Sequence, residues 1–565
     1  MTIRVFHVLF FAALVFCACF LAPAMGSAQT VPNAADISRV KPEESIPRLD
    51  RSLDNTVSMP IQKNIGSVPP AAKSVKFILK SVNIVGGTAF SNDDFTNIYS
   101  DVVGKEITLD TVYTMAGAIT ERYRNAGYFL SRAFVPAQEI DKGNVTIQVV
   151  EGYVGAVDGV SELSHSSMIQ SEIEHLTKLR PLSSKDMERF LLLLNDLPGH
   201  SFGGTLSPLE GAQDGAVKLT LTITKTDGMG AISFDNYSSR FLGPNEITAS
   251  YSKSFIPFQQ TTISALSDVA RTKLRYGTID HTISLLPDVR LELTGGVTQA
   301  LPGYTLESSE IESFSKFVSA ALEYQWIRER QQNLSVKGTL DGRNVTSDIL
   351  GSPLTRDYIR AFRATANYDV IDGWQGANNA NFIVSHGINW LSSSNAGDAN
   401  ISRAGALPDF TKAELSLSRV QMLTHDWSVY VAGAGQWASG VLYSSEQFGY
   451  GGQSFGRAYD ASDITGDRGL EGAFELRYGG FANEKMISFQ PYGFYDTGVV
   501  WNDAVGQPPE LAASSFGVGV RFNTVWKQSG NLGLAWPIDQ NITTPIYGNG
   551  GTHGPRIILQ ITQQF

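Results

Sequence analysis

Gly452-Gln453-Ser454-Phe455-Gly456 has the G-x-S-x-G spacing of a serine-hydrolase elbow, and Asp496 and His553 follow in the order of a catalytic triad. Such an elbow lifts its serine on a sharp turn between a strand and a helix. Here the stretch after Gly456, beginning Arg457-Ala458-Tyr459-Asp460, runs into polar, glycine-containing sequence with no helical periodicity. The second support of the elbow is missing, so the lipase reading is set aside and no catalytic residue is assigned. The eight histidines, among them His165, His175, His281 and His386, show no metal-ligand spacing such as His-Glu-x-x-His. No glycine-rich loop cradles a phosphate, and neither metal nor cofactor is expected. Phe494 and Asp496 fall on one side of an alternating strand. On spacing alone Arg457 reads as a solvated loop arginine, and Asp496 as a turn or lumen carboxylate.

The solvent these residues must satisfy depends on where the chain goes. Residues 1–28 read as a secretory leader: Arg4, an apolar run from Val8 to Leu21, and the small-residue exit Gly26-Ser27-Ala28 before Gln29. The run is too short and wrongly flanked for a stable helical span. Both cysteines, Cys17 and Cys19, lie within it, so the mature chain carries no thiol into an oxidising compartment. Bulky Phe16 precedes both, which fits neither as a lipid-attachment site. A formal net charge of −11 argues against a nucleic-acid surface, which needs clustered lysine and arginine. After residue 28 no stretch approaches the ~20 apolar residues of a membrane helix. Without such a helix a chain spans a bilayer only as a closed barrel, in which every backbone group is paired. With 54 Gly, 20 Tyr and 30 Phe, the composition suits strands alternating between lipid and lumen, and suits a secreted all-β protein equally.

Periodicity divides the rest. Residues 29–72, rich in Pro, Ser and Asn, read as a tail or linker, with a short helix conceivable around Asp36 to Val40. Residues 73–152 carry a β-α-α-β-β order. Phe77 to Val85 forms a strand, and Ser91 with Asp94 three residues on starts a helix. Leu109, Val112, Ala116, Ile119 and Tyr123 line one face of a second helix that ends at Gly127. Val145, Ile147 and Val149 alternate as in a half-buried strand. The same order returns over residues 153–228: Val154 to Val160 as strand, Ser167 to Lys178 and Ser184 to Leu194 as helices, Leu197-Pro198-Gly199 as a break, and Val217, Leu219, Leu221 and Ile223 as strand. Two small α+β modules in tandem account for this order.

From about Met229 to Phe565 helical periodicity gives way to short alternating runs. Trp427, Val429, Val431, Gly433, Gly435 and Trp437 share a face, as do Phe516, Val518, Val520 and Phe522. At roughly 20 residues per strand and connection, residues 229–565 accommodate about 16 strands, and bacterial barrels favour even numbers. The fold expected is a transmembrane antiparallel β-barrel behind two α+β modules. Ile557, Leu559, Ile561 and Phe565 share a face of the last strand, and the chain's final aromatic is similar to the sorting terminus of outer-membrane barrels; Ile561 and Phe565 are its candidate residues.

Several segments resemble the two-partner secretion transporters of the haemolysin and filamentous-haemagglutinin type. NAGYFLSRAFVPAQEIDKGNVTIQVVEG, residues 125–152, is similar to the family's first polypeptide-transport-associated (POTRA) domain, and LLNDLPG, residues 193–199, to its second. FDNYSSRFLG, 234–243, resembles the first barrel strand and turn. SSEQFGYGGQSFGRAYD, 444–460, followed by ITGDRG, 464–469, resembles the long inward-folded loop and the strand after it. The commoner Val-Arg-Gly-Tyr core is replaced here by Phe455-Gly456-Arg457-Ala458-Tyr459, with Asp460 next, so that glycine precedes the arginine.

The resemblance implies that Arg457, at the loop tip, reaches Asp496 of the Phe494-x-Asp496-x-Gly498 motif and locks the loop in the lumen. A guanidinium can grip a carboxylate bidentately where lysine offers a point charge. At ~4 Å and an effective dielectric of about 20 the gross attraction is roughly 4 kcal/mol. A pair as wet as a surface bridge would retain about 1 kcal/mol. The family also implies an outer-membrane location with the modules in the periplasm, and an unfolded partner exoprotein received there by strand addition to a POTRA sheet edge. Outer-membrane lipid and the barrel-assembly machinery are further partners. The resemblance further implies that transport is driven without ATP and that the tail before Ala72 plugs the resting lumen. The nearest rival is an insertase of the wider superfamily, which usually carries more modules, and a solute porin would need none.

Overall fold

In the computed structural model the described residues are 33–37, 68–140, 142–159, 166–225, 228–479, 481–483, 487–538 and 554–565. Residues 1–28, read from the sequence as a leader, most of residues 29–72, including Val40 of the short helix considered around Asp36 to Val40, and His553 lie outside them. The first module is built where the sequence changes from polar to periodic. Ser81–Val85 runs parallel to Asn144–Val150, which pairs antiparallel with Arg132–Phe134. The helix Leu109–Asn125 buries Val112, Met115, Ala116, Ile119 and Tyr123 against Val145, Ile147 and Val149. Its start lies beyond a short helical stretch where the Asp94 carboxylate accepts from both the N–H and the hydroxyl of Ser91.

One expectation needs correction: the run Phe77 to Val85 is two strands. Lys76–Ile78 pairs with Glu106–Thr108, while Ser81–Val85 belongs to the three-stranded sheet. Between them Leu79 is fully buried, and its backbone is bonded to Lys105 and Gly104. The polar pair Lys80-Ser81 is the one mark in the sequence of this change of partner.

The second module repeats the plan. Tyr153–Asp158 lies parallel to Ala216–Lys225, with His200–Pro208 antiparallel on the other side. The strand expected over Val154 to Val160 thus begins one residue earlier and ends at Asp158, with residue 160 outside the described set. The helices are Ser167–Lys178 and Ser184–Asn195, capped by the Ser166 and Ser183 hydroxyls. Only Glu151 and Gly152 separate the two sheets. Burial pushes the Glu151 carboxyl up, but hydrogen bonds from the Thr88 hydroxyl, the Ala89 and Thr88 N–H groups and the Tyr123 hydroxyl outweigh it, so its pKa lies below the usual range.

Sixteen antiparallel strands then close on themselves, the first being Met229–Asp235 and the last Arg556–Gln564; the twelfth is interrupted, as Arg468–Tyr478 and Phe481–Asn483. The strand Ile311–Arg328 shows why the chain closes. Val318, Leu322, Tyr324 and Trp326 are exposed on the outside, while Ser313, Ser315 and Ala321 face inward and are buried. The outward set spans about the nine to eleven residues that a tilted strand needs to cross a bilayer. Phe516, Val518, Trp427, Trp437, Ile557 and Ile561 are exposed in the same manner. No helix among the described residues is long and apolar enough to cross a membrane, so any crossing is made by strands.

The seam joins Gln560–Gln564 to Ala231–Asp235, and Phe565 closes it by exchanging both backbone hydrogen bonds with Gly230 at 2.9 Å. Deleting Phe565 is expected to lower the outer-membrane yield of heat-modifiable barrel several-fold; an unchanged yield would remove the terminus from assembly. A second expectation concerns Glu151. Its depressed pKa gives stability that is present above the unfolded carboxyl pKa and lost as pH falls through the folded one. By calorimetry Glu151→Gln should lower the first thermal transition at pH 7, and the gap to the unsubstituted chain should narrow as pH falls; equal midpoints at pH 7 would discard the linkage.

Candidate functional site

The loop between the strands Trp427–Ala438 and Arg468–Tyr478 folds down into the barrel. A short hairpin, Phe448–Tyr450 with Ile464–Gly466, carries its tip inward. At that tip the Arg457 guanidinium donates to Asp496 through Nε at 2.9 Å and Nη2 at 2.6 Å, and the Arg457 backbone N–H adds a third bond at 3.1 Å. Its remaining nitrogen, Nη1, donates to Glu475, and the guanidinium lies 3.7 Å from the centre of the Phe494 ring. Phe494, Asp496 and the inward face of Gly498 all belong to the strand Ile487–Trp501.

The glycines have a steric reason. A Cβ on Gly498 would come within 2.3 Å of the Tyr450 ring, and one on Gly456 within 2.7 Å of the same ring. Gly456 also holds a φ of +68°, which L side chains rarely adopt. Glycine ahead of the arginine thus makes room for Tyr450 while the guanidinium remains aimed at Asp496. Beyond it the Tyr459 hydroxyl donates to the Ser514 carbonyl at 2.8 Å, and Asp460 accepts from Arg240 at 3.1 Å.

Arg457, Asp496 and Glu475 are at most 4 % exposed, so the wet-bridge figure of about 1 kcal/mol does not describe them. Truncating one partner of a buried, hydrogen-bonded ion pair costs on the order of 3–5 kcal/mol, because the other charge is left unpaired. Glu475 is itself shared. Arg521 donates to it at 2.9 and 3.0 Å, and Arg477 at 2.7 Å. Two further clusters hold the root of the loop. Arg363 bridges Asp341 and Glu446, and Lys412 reaches Glu446 at 3.1 Å. Arg403, from the neighbouring outer loop, grips Asp467 and the Leu442 carbonyl.

Sequence reasoning placed Gly456, Arg457, Tyr459, Asp460, Phe494, Asp496 and Gly498 in this region and missed Glu475, Arg521, Arg363, Glu446 and Arg403. A usable signal was present for Glu475 and Arg521. Each stands between apolar residues of an alternating strand, Phe474 and Leu476 or Val520 and Phe522, and a charge at such a position must face the lumen. The elbow-like Gly452-Gln453-Ser454-Phe455-Gly456 lies wholly in the loop tip; no helix follows it, Ser454 is exposed, and Asp496 is occupied by Arg457.

A closed barrel with a polar lumen filled by its own loop, preceded by two small α+β sheets, defines an outer-membrane POTRA–barrel protein. Residues 77–152 match the family description "POTRA domain, ShlB-type", and residues 298–522 match "Haemolysin secretion/activation protein ShlB/FhaC/HecB". The heme/hemopexin transporter protein HuxB of Haemophilus influenzae (strain 86-028NP) is 25 % identical over 534 residues, covering 87 % of this chain and 91 % of its own. The outer membrane transporter CdiB of Dickeya dadantii (strain 3937) is 21 % identical, covering 86 % and 87 %. Among solved structures, CdiB from Escherichia coli superposes with a TM-score of 0.69 at 17 % identity, covering 89 % of this chain and 92 % of that one. BamA from Haemophilus ducreyi lacking POTRA domains 1-3 gives 0.52 at 11 %, covering 86 % and 100 %. The chain is a two-partner secretion transporter of the haemolysin secretion/activation family, located in the outer membrane with its POTRA domains in the periplasm.

Lysine at position 457 would keep the charge and lose the fork. Arg457→Lys, Arg457→Ala and Asp496→Ala are each expected to form heat-modifiable barrel normally and to release at least tenfold less partner exoprotein into the medium. Wild-type secretion from all three would deny the contact a role in transport.

Proposed function

We propose that the chain receives an unfolded partner exoprotein at its POTRA sheets and passes it through the barrel, with folding outside the cell as the driving force. The observation that carries this reading is the lumen itself: a closed barrel whose channel is filled by a loop held through buried ion pairs and hydrogen bonds at its tip and root, alongside an aromatic cluster that packs Phe448, Tyr450 and Tyr459 of the loop against Tyr492 and Phe494 of the wall. Polar contacts of this kind can be exchanged for water or for a passing polypeptide backbone at small net cost. A strand added to a POTRA sheet edge gains affinity from backbone hydrogen bonds with little demand on sequence, which suits an unfolded cargo.

In this reading the loop tip is the moving element, and Arg457 with Asp496 is the clasp that returns it. Outer-membrane lipid contacts the exposed apolar band, and the barrel-assembly machinery reads the strand that ends in Ile561 and Phe565. The tail over residues 29–72 is a removable plug. In support, Ala34, Ala35 and Ile37 of its described turn are buried, Ala34 and Ala35 against Phe241, and Ile37 among Leu242, Leu266, Leu274 and Tyr276. The proposed division is a leader to residue 28, this tail, POTRA domains over 73–152 and 153–228, and the barrel from 229 onward.

The plug gives a direct test. Deleting residues 30–60 should raise single-channel conductance in planar bilayers several-fold, with the barrel still heat-modifiable. Conductance equal to that of the full chain would remove the plug from the mechanism.

A further inference from the structure

The end of the helix Ser184–Asn195 carries two adjacent polar side chains with different tasks. Asn195 turns back on its own module: its amide nitrogen donates to the Phe202 carbonyl at 2.8 Å, and its oxygen accepts from the Phe202 N–H at 2.8 Å. It thereby occupies the outward backbone groups of the edge strand His200–Pro208 at Phe202, as a neighbouring strand would. Among the described residues the next outward rungs, Gly204 and Leu206, carry no such cap.

Asp196 points the other way, to the barrel. Arg328 grips it bidentately, Nε at 2.7 Å and Nη2 at 2.8 Å, and Arg290 approaches to 3.4 Å. These arginines sit at the periplasmic ends of the strands Ile311–Arg328 and Val289–Ala300. The same helix reinforces the contact. Arg189 donates to the Gln325 carbonyl at 3.2 Å, and Glu188 accepts the Arg330 backbone N–H at 3.0 Å. Asp196 and Arg328 are 17 % and 14 % exposed at their side chains, dry enough for a two-pronged pair to fix geometry.

Directly after Asp196 the chain turns at Gly199, whose φ is +77° and whose Cβ position would fall 2.5 Å from the Ser254 hydroxyl oxygen. The edge strand therefore starts against the barrel's inner rim, with the His200 ring 5.2 Å from that of Phe258. At the same turn Phe255 and Ile256 stand exposed.

We infer that Asp196, held by Arg328 and Arg290, is a positioning residue: it fixes the second POTRA sheet to the barrel rim so that a segment bound along His200–Pro208 meets the pore in one register. This rests on the transport reading above. It also gives the Leu193–Gly199 motif a task beyond module folding, since among the described residues the Asp196 carboxylate bonds to barrel arginines and not to its own sheet.

The experiment exploits a chain whose cysteines, Cys17 and Cys19, both lie in the leader. Spin labels at Ser171→Cys and His425→Cys, both on exposed residues, report the POTRA-to-barrel distance in nanodiscs by electron double resonance. The reference protein should give one narrow distribution. Asp196→Arg and Arg328→Asp should each broaden it and reduce secretion at least tenfold, and the two together should restore the narrow distribution and at least half of the secretion. Narrow distributions in the single variants, or a double variant no better than either, would overturn the clasp. Broadened distributions with undiminished secretion would overturn its role in delivery while leaving transport intact. Failure of the transport reading shows separately, as absence of exoprotein export by the unsubstituted chain.

Discussion

A guanidinium buried in the middle of a membrane channel requires compensation, and most of this lumen is arranged around supplying it. Arg457 has five N–H donors and is effectively always charged. Two carboxylates, Asp496 and Glu475, take its charge, and the Phe494 ring takes its flat face. Glu475 is balanced in turn by Arg521 and Arg477. Loop glycines, wall glycine and Tyr450 follow from this one seat, since the tip must approach the wall closely enough for a fork to meet a carboxylate.

The consequence for function lies in the kind of cohesion used. An apolar plug would resist water and cargo alike, because its burial energy has no partner outside the plug. Here aromatic packing of Phe448, Tyr450 and Tyr459 seats the loop, while the ion pairs and hydrogen bonds fix its geometry and offer a route out, since each donor and acceptor can be satisfied by water or by a backbone moving past. At the periplasmic rim the second module is held through Asp196 by the same class of contact, so the proposed receiving edge and the channel are linked by side chains that specify direction more than they add stability.

The fold was legible because its elements obey simple periods. Leu109, Val112, Ala116, Ile119 and Tyr123 repeat as a helix face must, and that helix is found as Leu109–Asn125. Alternation located the barrel wall and its outward residues. The span Phe77 to Val85 reads as one strand because Lys80-Ser81 is too short a polar interruption to distinguish a change of sheet from an outward face, and the tertiary partners of Leu79 divide it. For the site, the residues alone left Arg457 and Asp496 as unrelated charges 39 positions apart, and the family resemblance supplied the pairing. Glu475, Arg521, Arg363 and Arg403 escaped notice because their partners lie on distant strands, although a charge within an alternating strand was a signal available for the first two.

The most direct measurement is hydrogen–deuterium exchange of the protein in nanodiscs, following peptides across residues 451–463. If the loop tip is seated as described, these amides exchange slowly in the unsubstituted chain. Asp496→Asn should then accelerate them at least tenfold while peptides of the last strand, Arg556–Gln564, stay unchanged. A tip that already exchanges at the rate of an open loop, or one that Asp496→Asn leaves equally protected, would contradict the account.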